Sequence, residues 1–241
     1  MAWRSSGHSN RELIENMRRN GLITNDEVAN VLLQIDRANY APRAPYNDSP
    51  QTLSHGATIS APHMHAIALL HLLPFATPTD TRPAPRVLDI GSGSGYLTHA
   101  LALLAGRAGR VTGVEHLEVL RAIGESNMCK SAEGRDMVES GRVAFVYGDG
   151  RRGWREVDAD GRQELWDAIH VGACAETLHA ELIDQLRAPG RLFIPLSDGE
   201  GDGAQSVWTI TKNADGSICK ERLFGVRYVK LTDPATQTGQ E

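Results

Sequence analysis

Apolar positions in the first eighty residues recur at helical spacing, and from Arg86 onward they gather into short β-branched runs. Leu13, Ile14 and Met17 form one stripe and Val28, Val31, Leu32 and Ile35 another, each fit to be the buried face of a short helix. Both stripes follow a capping signature, SNRE at Ser9 to Glu12 and TNDE at Thr24 to Glu27, in which a side-chain oxygen covers a helix amide and a carboxylate reaches back. The prolines of YAPRAPYNDSP end this pattern. A third helix is expected from Ala61 to Leu73, and the proline-rich PFATPTDTRPAP after it reads as a connector.

Beyond the connector, five strand candidates stand out: RVLDI (86–90), RVTGVE (110–115), RVAFVYG (142–148), WDAIHV (166–171) and RLFIPL (191–196). Helical stretches lie between them, including YLTHALALLAG and AETLHAELIDQLRAPG, the second closing on Pro-Gly. Strands alternating with helices predict an α/β fold, a doubly wound and mostly parallel sheet. SVWTITK and LFGVRYVKL have no helix between them and are expected to pair antiparallel at one edge. The segments 155–164 and 198–205 read as solvated loops. The chain of 241 residues fits one domain, with a helical part over 1–80, an α/β core over 81–196 and edge strands over 197–241.

Composition narrows the function. A net charge of −5 gives no basic footprint, so nucleic acid is not expected as a partner. No apolar run approaches the roughly 20 residues of a membrane span, and the N-terminal stretch lacks the apolar core of a secretory signal. The three cysteines, Cys129, Cys174 and Cys219, are odd in number and widely spaced, as reduced thiols would be. A cytoplasmic monomer is therefore expected.

The sharpest chemical signal is VLDIGSGSGYLT at 87–98, where a buried strand ends in Asp89 and turns through Gly91, Ser92, Gly93 and Gly95 into a helix. Glycines there allow a tight turn and close approach of a ligand. The nicotinamide fingerprint would place glycine where Tyr96 stands, and Asp89 would repel a pyrophosphate. An acid in that place suits a cofactor with a cationic amino-acid end, and S-adenosyl-L-methionine carries both an ammonium and a sulfonium. Glu115, ending the next strand, can accept from both ribose hydroxyls, and Asp149 in GDGR can meet the adenine amino group while Gly150 leaves room for the ring. Each acid alone could be a solvated strand end. Together, at the tips of three consecutive strands, they converge on the crevice where open sheets of this kind bind ligands.

The stretch HGATISAPHMHA (55–66) holds three histidines and a serine. His63 and His65 are two apart, about 160° around a helix, which argues against a shared metal ion. Ser60 lacks the G-x-S-x-G context of a hydrolase nucleophile, and before Ala-Pro it also suits a helix N-cap.

The segments ATISAPHMHA, LDIGSGSGYLT, GDGR, DAIHVGA, LIDQLRAPGRLFIPL and GVRYVKLTD occur in the order in which they occur in the protein-L-isoaspartate (D-aspartate) O-methyltransferase family, and MAW…ELIENMRRNGLI is similar to the opening of its eukaryotic cytosolic members. The resemblance covers residues 1 to about 235. It implies a Rossmann-like S-adenosylmethionine-dependent methyltransferase fold and transfer of a methyl group to the free carboxylate of L-isoaspartyl residues in damaged proteins and peptides, with S-adenosyl-L-homocysteine as product. The ester would then close to a succinimide that opens partly to aspartate, and activity on D-aspartyl residues stays open. By the same resemblance Ser60 binds the substrate carboxylate as the active-site residue, and Ala57, Thr58, Ile59 and Ser60 fold over the cofactor as a lid with His65 beside it. Thr232 and Gln237 lie at the cofactor, and Val229 offers its main chain to the bound peptide. His170 lines the groove or packs as a strand residue, and His55 and His63 are read as surface or packing residues. A carboxylate nucleophile is already ionised at neutral pH, since its ordinary pKa is about 4, so no general base is required.

Two other readings remain. A base methyltransferase on this fold would carry an [N/D]-P-P-[Y/F] turn after the fourth strand, where this chain has HVGAC. A non-enzymatic adaptor could bind cofactor and peptide without turnover, and only methyl transfer separates it from an enzyme. Glu115 stands where family members often carry aspartate, Cys174 where a small apolar residue is usual and Lys230 where proline is common. The chain also contains Asn20-Gly21, Asp160-Gly161, Asp202-Gly203 and Asp215-Gly216, sequences prone to isomerise on storage.

Overall fold

The Ser9 hydroxyl accepts from the Glu12 amide at 3.2 Å and the Glu12 carboxylate accepts from His8 N–H at 2.8 Å, so helix α1 (Asn10–Arg19) starts where its cap requires and buries Leu13, Ile14 and Met17. Helix α2 (Asp26–Gln34) is capped one residue later than expected: Asn25 in place of Thr24 accepts from the Glu27 and Val28 amides at 2.8 and 3.2 Å. In this computed structural model residues 5–199 and 203–232 are described.

A hairpin of two-residue strands, β1 (Gln51–Thr52) and β2 (Thr58–Ile59), leads into α3 (Pro62–Ala76). That helix runs three residues past the expected end and takes Pro74 into its last turn. Arg82 closes it from the connector, donating to the Pro74 and Thr77 carbonyls at 2.7 and 3.0 Å.

The core follows as β3 (Arg86–Ile90), α4 (Tyr96–Leu104), β4 (Arg110–Glu115), α5 (Glu118–Met128), α6 (Ala132–Glu139) and β5 (Val143–Tyr147). A short hairpin, β6 (Glu156–Val157) and β7 (Gln163–Glu164), precedes β8 (Trp166–Val171). Then come α7 (Ala180–Asp184), β9 (Leu186–Ser197), β10 (Gln205–Lys212) and β11 (Ile218–Val226). The main sheet has the order β11-β10-β9-β8-β3-β4-β5, parallel from β9 to β5 and antiparallel at β9-β10-β11. The chain leaves β3 toward β4 on one side and returns to β8 on the other, which places the topological switch at the carboxyl ends of β3 and β8. One core on the face of α1 to α4 includes Leu13, Leu32, Leu69 and Leu101, and a second, with α7, includes Leu88, Trp166, Ile169 and Leu182. Among the described residues no helix is long and apolar enough to cross a membrane.

Three segments depart from the sequence pattern. The helix expected over 175–190 shrinks to Ala180–Asp184, because Ala175 is tied to β9 through its carbonyl and amide and Leu186 pairs with Trp166 in the sheet. The last strand lies earlier than LFGVRYVKL suggests: it ends at Val226, and residues 229–231 leave the sheet edge to bond Cys174, whose N–H donates to Val229 at 2.8 Å and whose carbonyl accepts from Leu231 at 2.7 Å. The loop 155–164 is pinched into the β6-β7 hairpin by Arg86, which pairs with Glu156 at 2.5 Å and Glu164 at 2.9 Å.

Candidate active site

The turn after β3 is set by backbone geometry. Gly91 and Ser92 both donate to the Val114 carbonyl, at 2.9 and 3.2 Å, which locks the loop onto β4. Gly95 has φ +81, and a Cβ there would sit 2.6 Å from the Gly124 carbonyl oxygen, so α5 can lie against the loop only because both positions are bare. Gly150 serves in the same way on the other side: a Cβ would meet Ile90 Cγ2 at 2.3 Å. Over this floor opens a cavity of about 340 Å³ lined by Gly91, Gly93, Glu115, Gly150, Leu120 and Leu231, with Ala57 and Thr58 above and Thr232 at the rim.

The three strand-tip acids take different positions. Glu115 faces the cavity, its carboxylate accepting from Gly93 N–H at 3.1 Å and His116 N–H at 2.8 Å. Asp89 is buried behind it, accepting from Thr98 Oγ1 at 2.6 Å and from His170 Nδ1 at 2.8 Å, so that nitrogen carries the proton. Asp149 turns to Arg151, whose guanidinium lies 2.8 Å away and holds the carboxyl below its usual range. Ser92 is buried in the turn, and of the GDGR motif it is Gly150 that lines the cavity.

A second cavity, about 650 Å³, adjoins the first and shares Thr58, Gly172 and Val229 with it. Ser60, Met64, Phe224 and Tyr228 line it. Ser60 does not cap α3: the N-cap position is Ala61, and the exposed amide of His63 is covered instead by Asp48 Oδ1 at 3.0 Å, so the serine hydroxyl stays in the cavity. Tyr228 lines the same cavity as Ser60, and burial pushes its phenol up to about 12, which keeps the proton on the oxygen at working pH. Gln205 fixes Tyr228 from both sides of its backbone, accepting from its N–H at 2.6 Å and donating to its carbonyl at 3.2 Å.

Ser60 is held from behind by Arg37. This arginine has no exposed surface; it donates to the Ser60 carbonyl at 2.8 Å and to His65 Nδ1 at 3.2 Å, and lies 4.9 Å from the centre of the Tyr96 ring. Because a guanidinium only donates, His65 must accept at Nδ1 and carry its proton on Nε2. Burial and the adjacent Arg37 charge push its pKa well below 6.5, so the ring is neutral. His63 is bound separately, its Nδ1 2.7 Å from Asp48.

Of the residues singled out in the sequence, the two cavities bring together Ala57, Thr58, Ser60, Gly91, Gly93, Glu115, Gly150, Val229 and Thr232. Ile59, His65, Asp89, Ser92 and His170 are buried next to them and line neither, while Gln237 lies outside the described residues. The Val229 carbonyl is already taken by Cys174. Sequence reasoning passed over Arg37, Asp48 and Tyr228. Tyr228 could have been found, since in an extended segment it faces opposite to Val229; Arg37 carries no local signal in QIDRANY.

The family model described as protein-L-isoaspartate(D-aspartate) O-methyltransferase matches residues 8–236. The chain is 40% identical over 237 residues to a protein-L-isoaspartate O-methyltransferase of Caenorhabditis elegans, covering 98% of each chain. It is 40% identical over 235 residues to protein-L-isoaspartate O-methyltransferase 1 of Arabidopsis thaliana, covering 97% of this chain and 95% of that one. Among solved structures it superposes with a TM-score of 0.79 and 36% identity, over 94% of this chain and 99% of the other, on a Plasmodium falciparum protein described as a protein-L-isoaspartate O-methyltransferase in complex with S-adenosyl-L-homocysteine.

Proposed function

The chain belongs to the protein-L-isoaspartate (D-aspartate) O-methyltransferase family, and from that premise we propose how its two joined cavities do the work. The protein is an S-adenosylmethionine-dependent carboxyl methyltransferase acting on L-isoaspartyl residues of damaged proteins and peptides. The methyl ester closes to a succinimide with loss of methanol, and hydrolysis of the ring yields aspartate in part. The observation that carries the mechanism is the shared wall of Thr58, Gly172 and Val229: a group bound on the glycine loop and a carboxylate at Ser60 meet there without crossing solvent.

The cofactor fits the first cavity by its donor set and shape. Bare glycine backbone, apolar Leu120 and Leu231 and the single carboxylate of Glu115 suit a ribose and a flat base, with Lys230 the one lysine or arginine among the described lining residues. When bound, S-adenosylmethionine supplies an electrophilic methyl on a sulfonium. We assign Glu115 to the ribose hydroxyls, chiefly through Oε2, which keeps a lone pair beyond its bond from Gly93 N–H, while Oε1 accepts from both the His116 and Leu117 amides. Gly91, Ser92 and Gly93 hold the amino-acid end, and Asp89 adds negative potential from behind through the Thr98 and His170 contacts. Asp149 and Gly150 shape the base pocket, with Thr232 at its rim. Ala57, Thr58 and Ile59 form the lid, anchored by buried Ile59, and His65 lies behind Ser60 on Arg37.

Ser60, with the Tyr228 phenol beside it, donates to the substrate carboxylate and aims one of its oxygens at the methyl. Because the nucleophile arrives ionised, alignment and exclusion of water supply the rate, and positioning of this kind can be worth roughly 7–11 kcal/mol. Val229 and His170 support the bound peptide, through the backbone and by fixing the floor. In this reading residues 1–80 carry lid and substrate contacts, 81–196 the cofactor core and 197–241 the edge that closes the groove. We assign the protein to the cytoplasm as a monomer, without nucleic-acid or membrane partners; its net acidity and three free cysteines support this.

The test is methyl transfer from labelled cofactor to an isoaspartyl peptide and its aspartyl twin. Label on the isoaspartyl peptide alone, falling about 10- to 100-fold in kcat/KM for Ser60→Ala, is expected from loss of a charged hydrogen bond. Equal labelling of both peptides would overturn the reading.

A further inference from the structure

The substrate cavity carries a positive charge in a chain that is net acidic. The protein carries 30 acidic against 25 basic residues, yet among the described residues no acid lines the cavity at Ser60. Its wall is apolar or small except for hydroxyls, His63 and Arg227. His63 is tied to buried Asp48. Arg227 is exposed, and among the described residues its guanidinium has no ion pair or hydrogen bond. The other cation nearby, Lys230, belongs to the cofactor side and lies 3.9 Å from Glu176.

Arg227 also sits on fixed backbone. It follows directly on β11 and precedes Tyr228, whose main chain Gln205 clamps. From Phe224 to Val229 the chain forms one wall of the cavity, so a peptide whose isoaspartyl carboxylate reaches Ser60 passes along Arg227 within a few residues, at about 3.3 Å per residue if extended. A cation set on an otherwise apolar wall acts on a neighbouring charge more strongly than one in open water. We propose that Arg227 makes this enzyme select isoaspartyl sites flanked by acidic residues. The proposal rests on the reading of the Ser60 cavity as the carboxylate site. It would direct repair toward damage in acidic surface segments of client proteins and against lysine-rich ones.

A set of hexapeptides with one isoaspartyl core and Glu, Gln or Lys at the flanking positions, before and after it in separate arms, tests this by kcat/KM. The expected ranking is Glu over Gln over Lys in at least one arm, with a Glu to Lys ratio of roughly five- to tenfold at low salt, the size of attraction to one partly screened charge plus repulsion from it. The ratio should shrink toward one at about 0.5 M salt. Arg227→Lys should keep the ranking, Arg227→Gln flatten it and Arg227→Glu invert it. A flat ranking in the wild type, or one that survives in Arg227→Gln, overturns the proposal. If the Gln peptide is methylated above its aspartyl twin while the ranking is flat, only the role of Arg227 fails; if it is not, the site reading itself fails.

Discussion

Replacing Arg37 by methionine removes the anchor of the active-site serine and keeps much of its volume. Arg37 stands in a single-turn 3-10 helix after α2 and has no exposed surface. Burial draws its pKa below the ordinary guanidinium value, the signature of a charge kept at a cost. The variant loses a charged hydrogen bond to the Ser60 carbonyl, about 1.5–3 kcal/mol, and leaves His65 Nδ1 without its donor, about 1–3 kcal/mol. The contact over Tyr96 adds up to about 2 kcal/mol. Against this stands relief from burying a cation, worth several kcal/mol, so the net loss of stability should be at most about 4 kcal/mol. The effect on catalysis separates from stability: a shift of about 1 Å in Ser60 can cost roughly 100-fold, whereas the glycine loop makes no bond to Arg37. Urea unfolding gives the first quantity; kcat/KM on an isoaspartyl peptide and the Kd for S-adenosylhomocysteine, measured where the variant is folded, give the second. We expect kcat/KM to fall about 10- to 100-fold with cofactor-product affinity within about threefold, and Arg37→Lys to lie between. A folded Arg37→Met enzyme with wild-type kcat/KM, or one that loses product affinity as much as peptide turnover, refutes the reasoning.

Acid should destabilise the fold through His99, whose Nδ1 is hydrogen-bonded with the Tyr40 hydroxyl at 2.6 Å and whose pKa burial lowers to about 4. The unfolded chain takes up that proton near pH 6.5 and the folded one only near 4, so the contribution is complete above pH 6.5 and lost as pH falls toward 4, up to about 3 kcal/mol. Urea midpoints across that window should fall less steeply in His99→Gln, and an equally steep fall would exclude this origin. Gly95→Ala should cost about 1–3 kcal/mol and weaken S-adenosylhomocysteine binding, since φ +81 and the 2.6 Å approach to Gly124 cannot both be kept; wild-type melting and affinity would contradict the packing argument. The damage-prone pairs should isomerise more slowly in the folded chain than in matching peptides, because the amides of Gly21, Gly161 and Gly216 are engaged by Arg18, Asp158 and Asn213 at 3.0, 3.0 and 2.9 Å. Peptide mapping of stored enzyme reads this, and equal rates would show that the turns give no protection; Asp202 lies outside the described residues.

The parallel core was legible because β3, β4 and β8 are buried nearly end to end and each reads as a short run containing Val, Ile or Thr. The glycine turn was legible because only glycine adopts its positive φ cheaply. What escaped was decided by contacts distant in sequence. AETLHAELIDQLRAPG has helical composition, but Leu186 and Ala175 are claimed by the sheet. The helices α5 and α6 are mostly polar and were not assigned, with Gly124 kept bare for the loop it covers. Convergence of three strand tips could be read from order alone, yet whether each acid faces the ligand depends on Thr98, His170 and Arg151. Arg37 and Asp48 reach their partners across 23 and 15 residues, and no period or motif records such a contact.

The most direct test of the central claim is a crystal structure of the protein with S-adenosylhomocysteine and an isoaspartyl hexapeptide. The account predicts the nucleoside over Gly91 to Gly93 with Glu115 on its ribose, and the isoaspartyl carboxylate within hydrogen-bond distance of Ser60 Oγ, facing the sulfur across Thr58. A nucleoside elsewhere, or a carboxylate that binds away from Ser60, would contradict it.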